Sequence, residues 1–167
     1  MIGNDVVNLP QSRIESNWLR KGFIEKIFTP DEQLLITNSA DPEIMVWLLW
    51  SMKEAAYKIY NRQTKIREYI PLKLLCKIIS QNGNCFLGQV LCMNAVFPTK
   101  TTILEHNIHT IAATSVRNLA RIIEIKNKDI VKDEFGIPYL KRKKFDSLQD
   151  VSVSHHGDYE KIVTILH

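Results

Sequence analysis

Apolar and polar positions divide the chain into a helical first third and a longer part that favours strands. The apolar residues of Ile2–Leu9 predict a short strand, and the capping-box pattern of Ser12–Glu15 predicts the start of a first helix. Two stronger helix starts follow at Thr29-Pro30 and Asp41-Pro42, where a capping residue precedes proline and then an acidic residue. We expect the last of these helices to continue to about Asn61.

The middle of the chain, between about residues 65 and 115, changes to a pattern that is typical of strands. Lys65–Ser80, Cys85–Val96 and Thr101–Thr114 are rich in isoleucine, leucine, valine and threonine. Asn82-Gly83 is a favourable hairpin turn, and Phe97–Lys100 contains a proline that suits a second reversal. These features predict an antiparallel meander.

The last third combines one ambiguous segment with further strands. Arg117–Lys126 fits either a helix or a strand, and Phe135–Leu140 predicts a turn that leads into an extended segment. Val151–His155 and Ile162–Leu166 have the alternation of strands. The predicted fold class is α+β, with one domain over residues 1–167 in which an N-terminal strand and helices pack on a largely antiparallel sheet.

Composition and charge narrow the possible functions. The 167 residues are 45% hydrophobic and 24% charged, which is ordinary for a globular protein and excludes a disordered one. The net charge of +4 suits an acidic partner or a phosphorylated ligand, but it is too small to indicate nucleic acid. Three cysteines without metal-site spacing, no apparent signal peptide and no long apolar run predict a cytoplasmic protein that contacts no membrane.

The predicted helix that starts near Pro42 carries a glutamate among aromatic residues. On a helical projection Glu54 lies about 20° from Trp47 and about 40° from Trp50, so it continues an aromatic stripe. It could form an ordinary pair with Lys58 one turn later, worth a few tenths of a kcal/mol. It could equally be a carboxylate that is held for chemistry, and the pattern alone does not choose between the two.

An aspartate within the first predicted strand raises the same question. Aspartate is depleted in strands, and Asp5 has apolar neighbours. It could occupy a turn or an edge position. Alternatively, it could pair with Glu54 on a hard cation such as Mg²⁺, which takes one or two protein carboxylates and completes its shell with water and phosphate oxygens.

The segment Val151–His156 contains two adjacent histidines and two serines. Neighbours on a strand point to opposite faces, so His155 and His156 are a poor metal pair, and Ser154 lacks the turn of a nucleophile elbow. His155 is either structural or a donor to phosphate. The basic run Lys141–Lys144 is by default a solvated loop, and no glycine-rich nucleotide-binding motif is present.

Together, five motifs resemble the 4'-phosphopantetheinyl transferase superfamily, and specifically its small class, the holo-acyl-carrier-protein synthases. Gly3–Val7 (GNDVV) is similar to the Gly-x-Asp-x-Val strand of that family, and Phe28–Glu32 (FTPDE) to its Phe-x-Thr-x-x-Glu helix start. Trp50–Lys58 (WSMKEAAYK) matches its Trp-x-x-Lys-Glu-Ala-x-x-Lys signature. Gly136–Leu140 resembles its Gly-x-Pro segment and Val151–His156 its Ser-x-Ser-His strand, while residues 65–115 carry no motif.

The resemblance implies transfer of 4'-phosphopantetheine from coenzyme A to a serine of an acidic acyl carrier protein, with release of 3',5'-ADP. It implies that Asp5 and Glu54 hold Mg²⁺ on the pyrophosphate and that Lys58 offsets phosphate charge. His155 would contact the 3'-phosphate, and Lys53 is a further candidate for binding coenzyme A. Glu54 and Lys58 are the catalytic candidates, and the base could be Glu54 or a metal-bound water.

The sequence departs from the family at one cation. Ile137 stands where the family commonly has a lysine. Lys141 and Arg142, or the two lysines that follow them, are candidates to replace that charge.

The resemblance also implies self-association. In the small class the Ser-His strand faces the acidic pair of a neighbouring subunit, so a homo-oligomer, and specifically a trimer, is expected. The alternative to transfer is a module of the same fold that binds coenzyme A or a carrier without turnover, which Ile137 and Asn4 keep open. A nucleic-acid-binding domain is the weakest alternative, because no recognised motif supports it.

Overall fold

The computed structural model describes residues 1–126, 129–142 and 147–166, without the side chain of Arg142. The first half contains a strand, four helices and four more strands. Their bounds are β1 Ile2–Asn8, α1 Leu9–Glu15, α2 Phe23–Ile27, α3 Pro30–Thr37, α4 Pro42–Thr64, β2 Leu74–Asn82, β3 Cys85–Cys92, β4 Ala95–Ile103 and β5 Asn107–Ala113. A short helix and five strands follow: α5 Val116–Leu119, β6 Ile122–Glu124, β7 Ile130–Lys132, β8 Pro138–Arg142, β9 Ser147–His156 and β10 Tyr159–Ile165.

The strands form two five-stranded antiparallel sheets, in the orders β1-β5-β4-β3-β2 and β6-β10-β9-β8-β7. The predicted α+β class is therefore confirmed, although the expected single sheet is two. No helix in the described part of the chain is long and apolar enough to span a membrane.

Helix α4 supplies much of the main core. Its buried apolar side chains lie with those of α3 and of the first sheet, and they include Val46, Leu48, Leu49, Met52, Ala56 and Ile59. Asp41 caps the helix, since its side chain accepts a hydrogen bond from the backbone N–H of Ile44. The helix ends at Thr64, before Lys65 in the left-handed conformation (φ 62°). The predicted start is confirmed.

Helix α1 begins earlier than predicted. The side chain of Asn8 accepts a hydrogen bond from the backbone N–H of Gln11, and Pro10 lies in the first turn, where its missing N–H costs nothing. The helix ends at Glu15, so the capping box proposed for Ser12–Glu15 is wrong. The capping box at Thr29 and Glu32 is confirmed at the start of α3.

The meander has four strands where three segments were predicted. The predicted hairpin is confirmed, with its turn at Gly83-Asn84, one residue later than expected, but the reversal at Phe97–Lys100 is wrong because β4 continues through it. Pro98 is tolerated there because β4 pairs with β5 only from Thr99 onward, so no partner on that side needs its missing N–H. The ambiguous segment 117–126 contains both the end of α5 and strand β6.

Candidate functional site

The site is built where strand β1 crosses helix α4 at very short range. A Cβ atom at Gly3 would lie 1.9 Å from the carbonyl oxygen of Ala55, so only glycine allows this approach. Two residues after Gly3, β1 presents Asp5, and one residue before Ala55, α4 presents Glu54. Both carboxylates line one cavity of about 260 Å³, together with Trp47 and other side chains.

Asp5 is largely buried, and its polar neighbours include Ser154 and Lys58. Its carboxylate Oδ1 accepts a hydrogen bond from Ser154 Oγ at 3.1 Å and lies 3.7 Å from Lys58 Nζ. Burial raises the pKa of Asp5, and the charge of Lys58 and the hydrogen bond from Ser154 offset that rise only in part. The side chain is 14% exposed, so a ligand in the cavity can still reach it.

Glu54 is the more strongly perturbed of the two acids. Burial first, and then the charge of Asp5, raises its pKa from 4.5 to about 7, although Lys58 acts in the opposite direction. Two buried carboxylates that repel each other are an arrangement that a divalent cation would stabilise.

The donor set fits Mg²⁺. Carboxylate oxygens are the ligands that this hard cation prefers, and it commonly keeps water and phosphate oxygens in the rest of its shell. No group of three or more histidine, cysteine, aspartate or glutamate side chains suited to a metal occurs in the described residues. Asp5 and Glu54 would be the protein's contribution, and the other positions would be left for water and substrate.

Lys58 connects the acids to a larger cavity. Its Nζ donates to the carbonyl oxygen of Asn4 at 2.6 Å and to that of Val153 at 3.2 Å, which ties α4 to both β1 and β9. The side chain remains 31% exposed and lines a cavity of about 660 Å³. His155 is exposed and lines both cavities.

The sequence around Asp5, Glu54 and Lys58 is similar to that of a known protein family. Residues 1–112 match the sequence model of the 4'-phosphopantetheinyl transferase superfamily, which is about two thirds of the chain. The chain belongs to the 4'-phosphopantetheinyl transferase superfamily. The match includes Asp5, Glu54 and Lys58, while His155 lies beyond it. The comparison with curated proteins found no match.

Lys53 does not have the role that was predicted for it in this superfamily member. Its side chain is only 1% exposed, and its ammonium group forms an ion pair with Glu32 Oε2 at 2.7 Å. It also donates hydrogen bonds to the carbonyl oxygens of Pro71 and Leu74. These three contacts use all three N–H groups, so the prediction that Lys53 binds coenzyme A is wrong.

The same ion pair explains the FTPDE motif. Glu32 completes the capping box of α3 by accepting from the backbone N–H of Thr29, and its Oε1 accepts from the backbone N–H of Cys76 on β2. One buried carboxylate thus joins α3, α4 and β2. Its partner Lys53 could have been recognised only by knowing which face of α4 is buried.

The larger cavity has a lysine near Ile137, but it lies on a strand other than the one expected. Ile137 is buried and lines the larger cavity, and Lys132 on β7 lines the same cavity. Lys141 is exposed and is not among the described residues that line either cavity. Strand β8 includes Arg142, whose side chain lies outside the described part of the chain, as do Lys143 and Lys144.

The Ser-His strand faces the acidic pair of its own chain. Ser154 on β9 donates to Asp5 on β1, and His156 Nδ1 accepts a hydrogen bond from the backbone N–H of Asn8. Ser154 thus contacts Asp5 of its own chain, and the contact between subunits that the resemblance implies stays a prediction. The expected trimer stays a prediction, since the described contacts are all made by a single chain.

Two further residues were missed by the sequence reasoning. Buried Arg62 on α4 donates to the carbonyl oxygens of Pro138 and Val151, and it lines the larger cavity. Lys132 was passed over because its short strand has no motif. For Arg62 a signal existed, since it stands one turn after Lys58 on the helix that carries the family signature.

Proposed function

We propose that this chain transfers the 4'-phosphopantetheine moiety of coenzyme A to a serine of an acyl carrier protein and releases 3',5'-ADP. The observation that carries the proposal is the meeting of Asp5, Glu54 and Lys58 beside two cavities that share His155. Membership of the 4'-phosphopantetheinyl transferase superfamily supports the class of reaction.

In the proposed site Asp5 and Glu54 would hold Mg²⁺, which supplies charge stabilisation and alignment for the pyrophosphate of coenzyme A. Lys58, whose ammonium group lies 3.7 Å from Asp5, would offset negative charge on the transferring phosphate. His155 binds a phosphate of the nucleotide part, for which the 3'-phosphate is our assignment. Phosphoryl transfer of this kind depends mainly on positioning and charge stabilisation, which these groups provide.

The net charge of the chain supports the proposed partner. An acidic carrier surface would be attracted by a protein of charge +4, and such attraction increases the rate of encounter. A homo-oligomer and a cytoplasmic location remain part of the proposal.

The test is direct. The purified chain is incubated with coenzyme A, Mg²⁺ and apo carrier proteins, and we expect a mass gain on the carrier together with release of 3',5'-ADP. Asp5→Ala and Glu54→Ala should abolish the gain. Matched controls are Asp158→Ala and Glu25→Ala, which remove exposed carboxylates elsewhere and should leave it unchanged.

A negative result would also be informative. If coenzyme A binds but no carrier gains mass, the transfer proposal fails and the chain is a binding module of the same fold. If Asp5→Ala transfers at the rate of the unmodified chain, the site is placed wrongly.

A further inference from the structure

Strand β1 has one edge without a strand partner in the first sheet. On its other edge it pairs with β5, which leaves alternate backbone N–H groups directed toward β9. Side chains of β9 accept hydrogen bonds from these groups at every second residue. The hydrogen bonds run from Asn4 N to Ser152 Oγ (2.9 Å), from Val6 N to Ser154 Oγ (2.9 Å) and from Asn8 N to His156 Nδ1 (3.2 Å).

Among these acceptors, Ser154 also contacts the carboxylate of Asp5. Its Oγ accepts from Val6 N and donates to Asp5 Oδ1 at 3.1 Å, and the serine is buried. A hydroxyl group has one hydrogen, so the bond from Val6 fixes the oxygen while the hydrogen is directed at the carboxylate. Ser154 thereby links the carboxylate of Asp5 to the backbone of the same strand through two hydrogen bonds.

We propose that Ser154 is a positioning residue that holds Asp5 in the orientation needed to bind a divalent cation. Ser154 donates to Oδ1, and Lys58 Nζ lies 3.7 Å from the same oxygen, so the hydrogen bond would fix the orientation of the carboxylate that is to hold the cation. The inference rests on the proposed function only through the metal site, and it concerns a residue beyond the family match at 1–112.

The neighbouring ammonium group explains why a positioning residue is needed. Lys58 Nζ is 3.7 Å from Asp5 Oδ1, beyond hydrogen-bond distance, and its hydrogen bonds go to two backbone carbonyl oxygens. Without the hydroxyl of Ser154, the carboxylate is free to turn toward Lys58 and form a direct ion pair. Such a pair competes with the cation for the same oxygens.

Ser152→Ala provides a matched control for Ser154→Ala. Each substitution removes one hydroxyl that accepts from the backbone of β1, and both serines are buried on the same strand. The described hydrogen bonds of Ser152 include none to a carboxylate. Loss of stability should therefore be similar in the two variants, whereas only Ser154→Ala should change the binding of metal.

The experiment measures binding of Mn²⁺ alone to the purified chain by electron paramagnetic resonance, with thermal unfolding in parallel. We expect Ser154→Ala to weaken binding about tenfold, the loss of one hydrogen bond to a charged group. Ser154→Thr keeps the hydroxyl and should restore affinity, while Ser152→Ala should bind like the unmodified chain.

The outcomes separate this inference from the proposed function. Equal Mn²⁺ affinity in Ser154→Ala and Ser152→Ala would overturn the positioning role alone. Absence of Mn²⁺ binding by the unmodified chain would overturn the metal site and the positioning role together. If Ser154→Ala does not fold, Ser154→Cys keeps the volume with a weak donor, and unmodified affinity in that variant would overturn the inference.

Discussion

The acidic pair makes the stability of the metal-free protein depend on pH, and Glu54→Gln isolates that dependence. Burial and the charge of Asp5 raise the pKa of Glu54 from 4.5 to about 7. A carboxyl group with a higher pKa in the folded chain than in the unfolded chain binds more protons when folded. Its stabilising contribution is therefore complete below pH 4.5 and is lost as the pH rises through about 7.

The size of the effect follows from the two pKa values. A rise from 4.5 to about 7 corresponds to about 3 kcal/mol of unfolding free energy. Glutamine has nearly the same volume as glutamate but cannot ionise. The quantity to follow is the unfolding free energy of Glu54→Gln minus that of the unmodified chain. Between about pH 4 and about pH 9, this difference should increase by about 3 kcal/mol.

Urea unfolding in the presence of a chelator measures this difference. Trp47 and Trp50 lie on α4 beside the site, so their fluorescence follows the relevant part of the fold. Glu25→Gln, at an exposed position of α2, is the control and should show the pH dependence of the unmodified chain. Parallel stability curves for the unmodified chain and Glu54→Gln would refute the reasoning.

Three further predictions concern the crossing of β1 and α4, the buried ion pair of Lys53 and Glu32, and the larger cavity. Gly3→Ala should lower both the melting temperature and the transfer rate, because its Cβ would lie 1.9 Å from a carbonyl oxygen of α4. Circular dichroism on heating would measure the melting temperature. Lys53→Met should cost about 3–5 kcal/mol in urea unfolding by leaving the buried carboxylate of Glu32 without its cation, and Glu32→Leu in the same chain should recover only part of that loss, because the backbone N–H groups of Thr29 and Cys76 lose their acceptor. Lys132→Ala should raise the KM for coenzyme A several-fold, whereas Lys141→Ala should leave it unchanged. A KM that changes more in Lys141→Ala would contradict the placement of that cation.

Local sequence signals predicted the helices well where a cap was explicit. Asp41-Pro42 and Thr29-Pro30 each supply a side-chain acceptor followed by a residue that needs no N–H partner, and both helices start there. Ser12–Glu15 has the Ser-x-x-Glu spacing of a capping box but no proline after the serine, and Asn8 caps the helix before it. When two possible capping residues lie about one helical turn apart, the sequence alone does not show which one starts the helix, because the choice depends on where β1 ends.

The sequence pattern predicted neither the second sheet nor the contact of β9 with β1 within the chain. The alternation in Val151–His155 predicted a strand, but not that its serines would accept hydrogen bonds from a strand about 150 residues away. Side-chain to backbone hydrogen bonds of this kind leave no periodicity beyond that of the strand itself. For the same reason the resemblance could assign His155 and yet say nothing about Ser154.

The family signature also combines residues with different physical roles, and only the fold separates them. Lys53 and Glu54 are adjacent in sequence, but adjacent residues on a helix point about 100° apart. Lys53 is turned into the core, where its ammonium group donates to Glu32 and to two backbone carbonyl oxygens. Glu54 instead lines the cavity beside Asp5. The lysine secures α4 against α3 and β2, and that anchoring keeps the glutamate opposite Asp5 on β1.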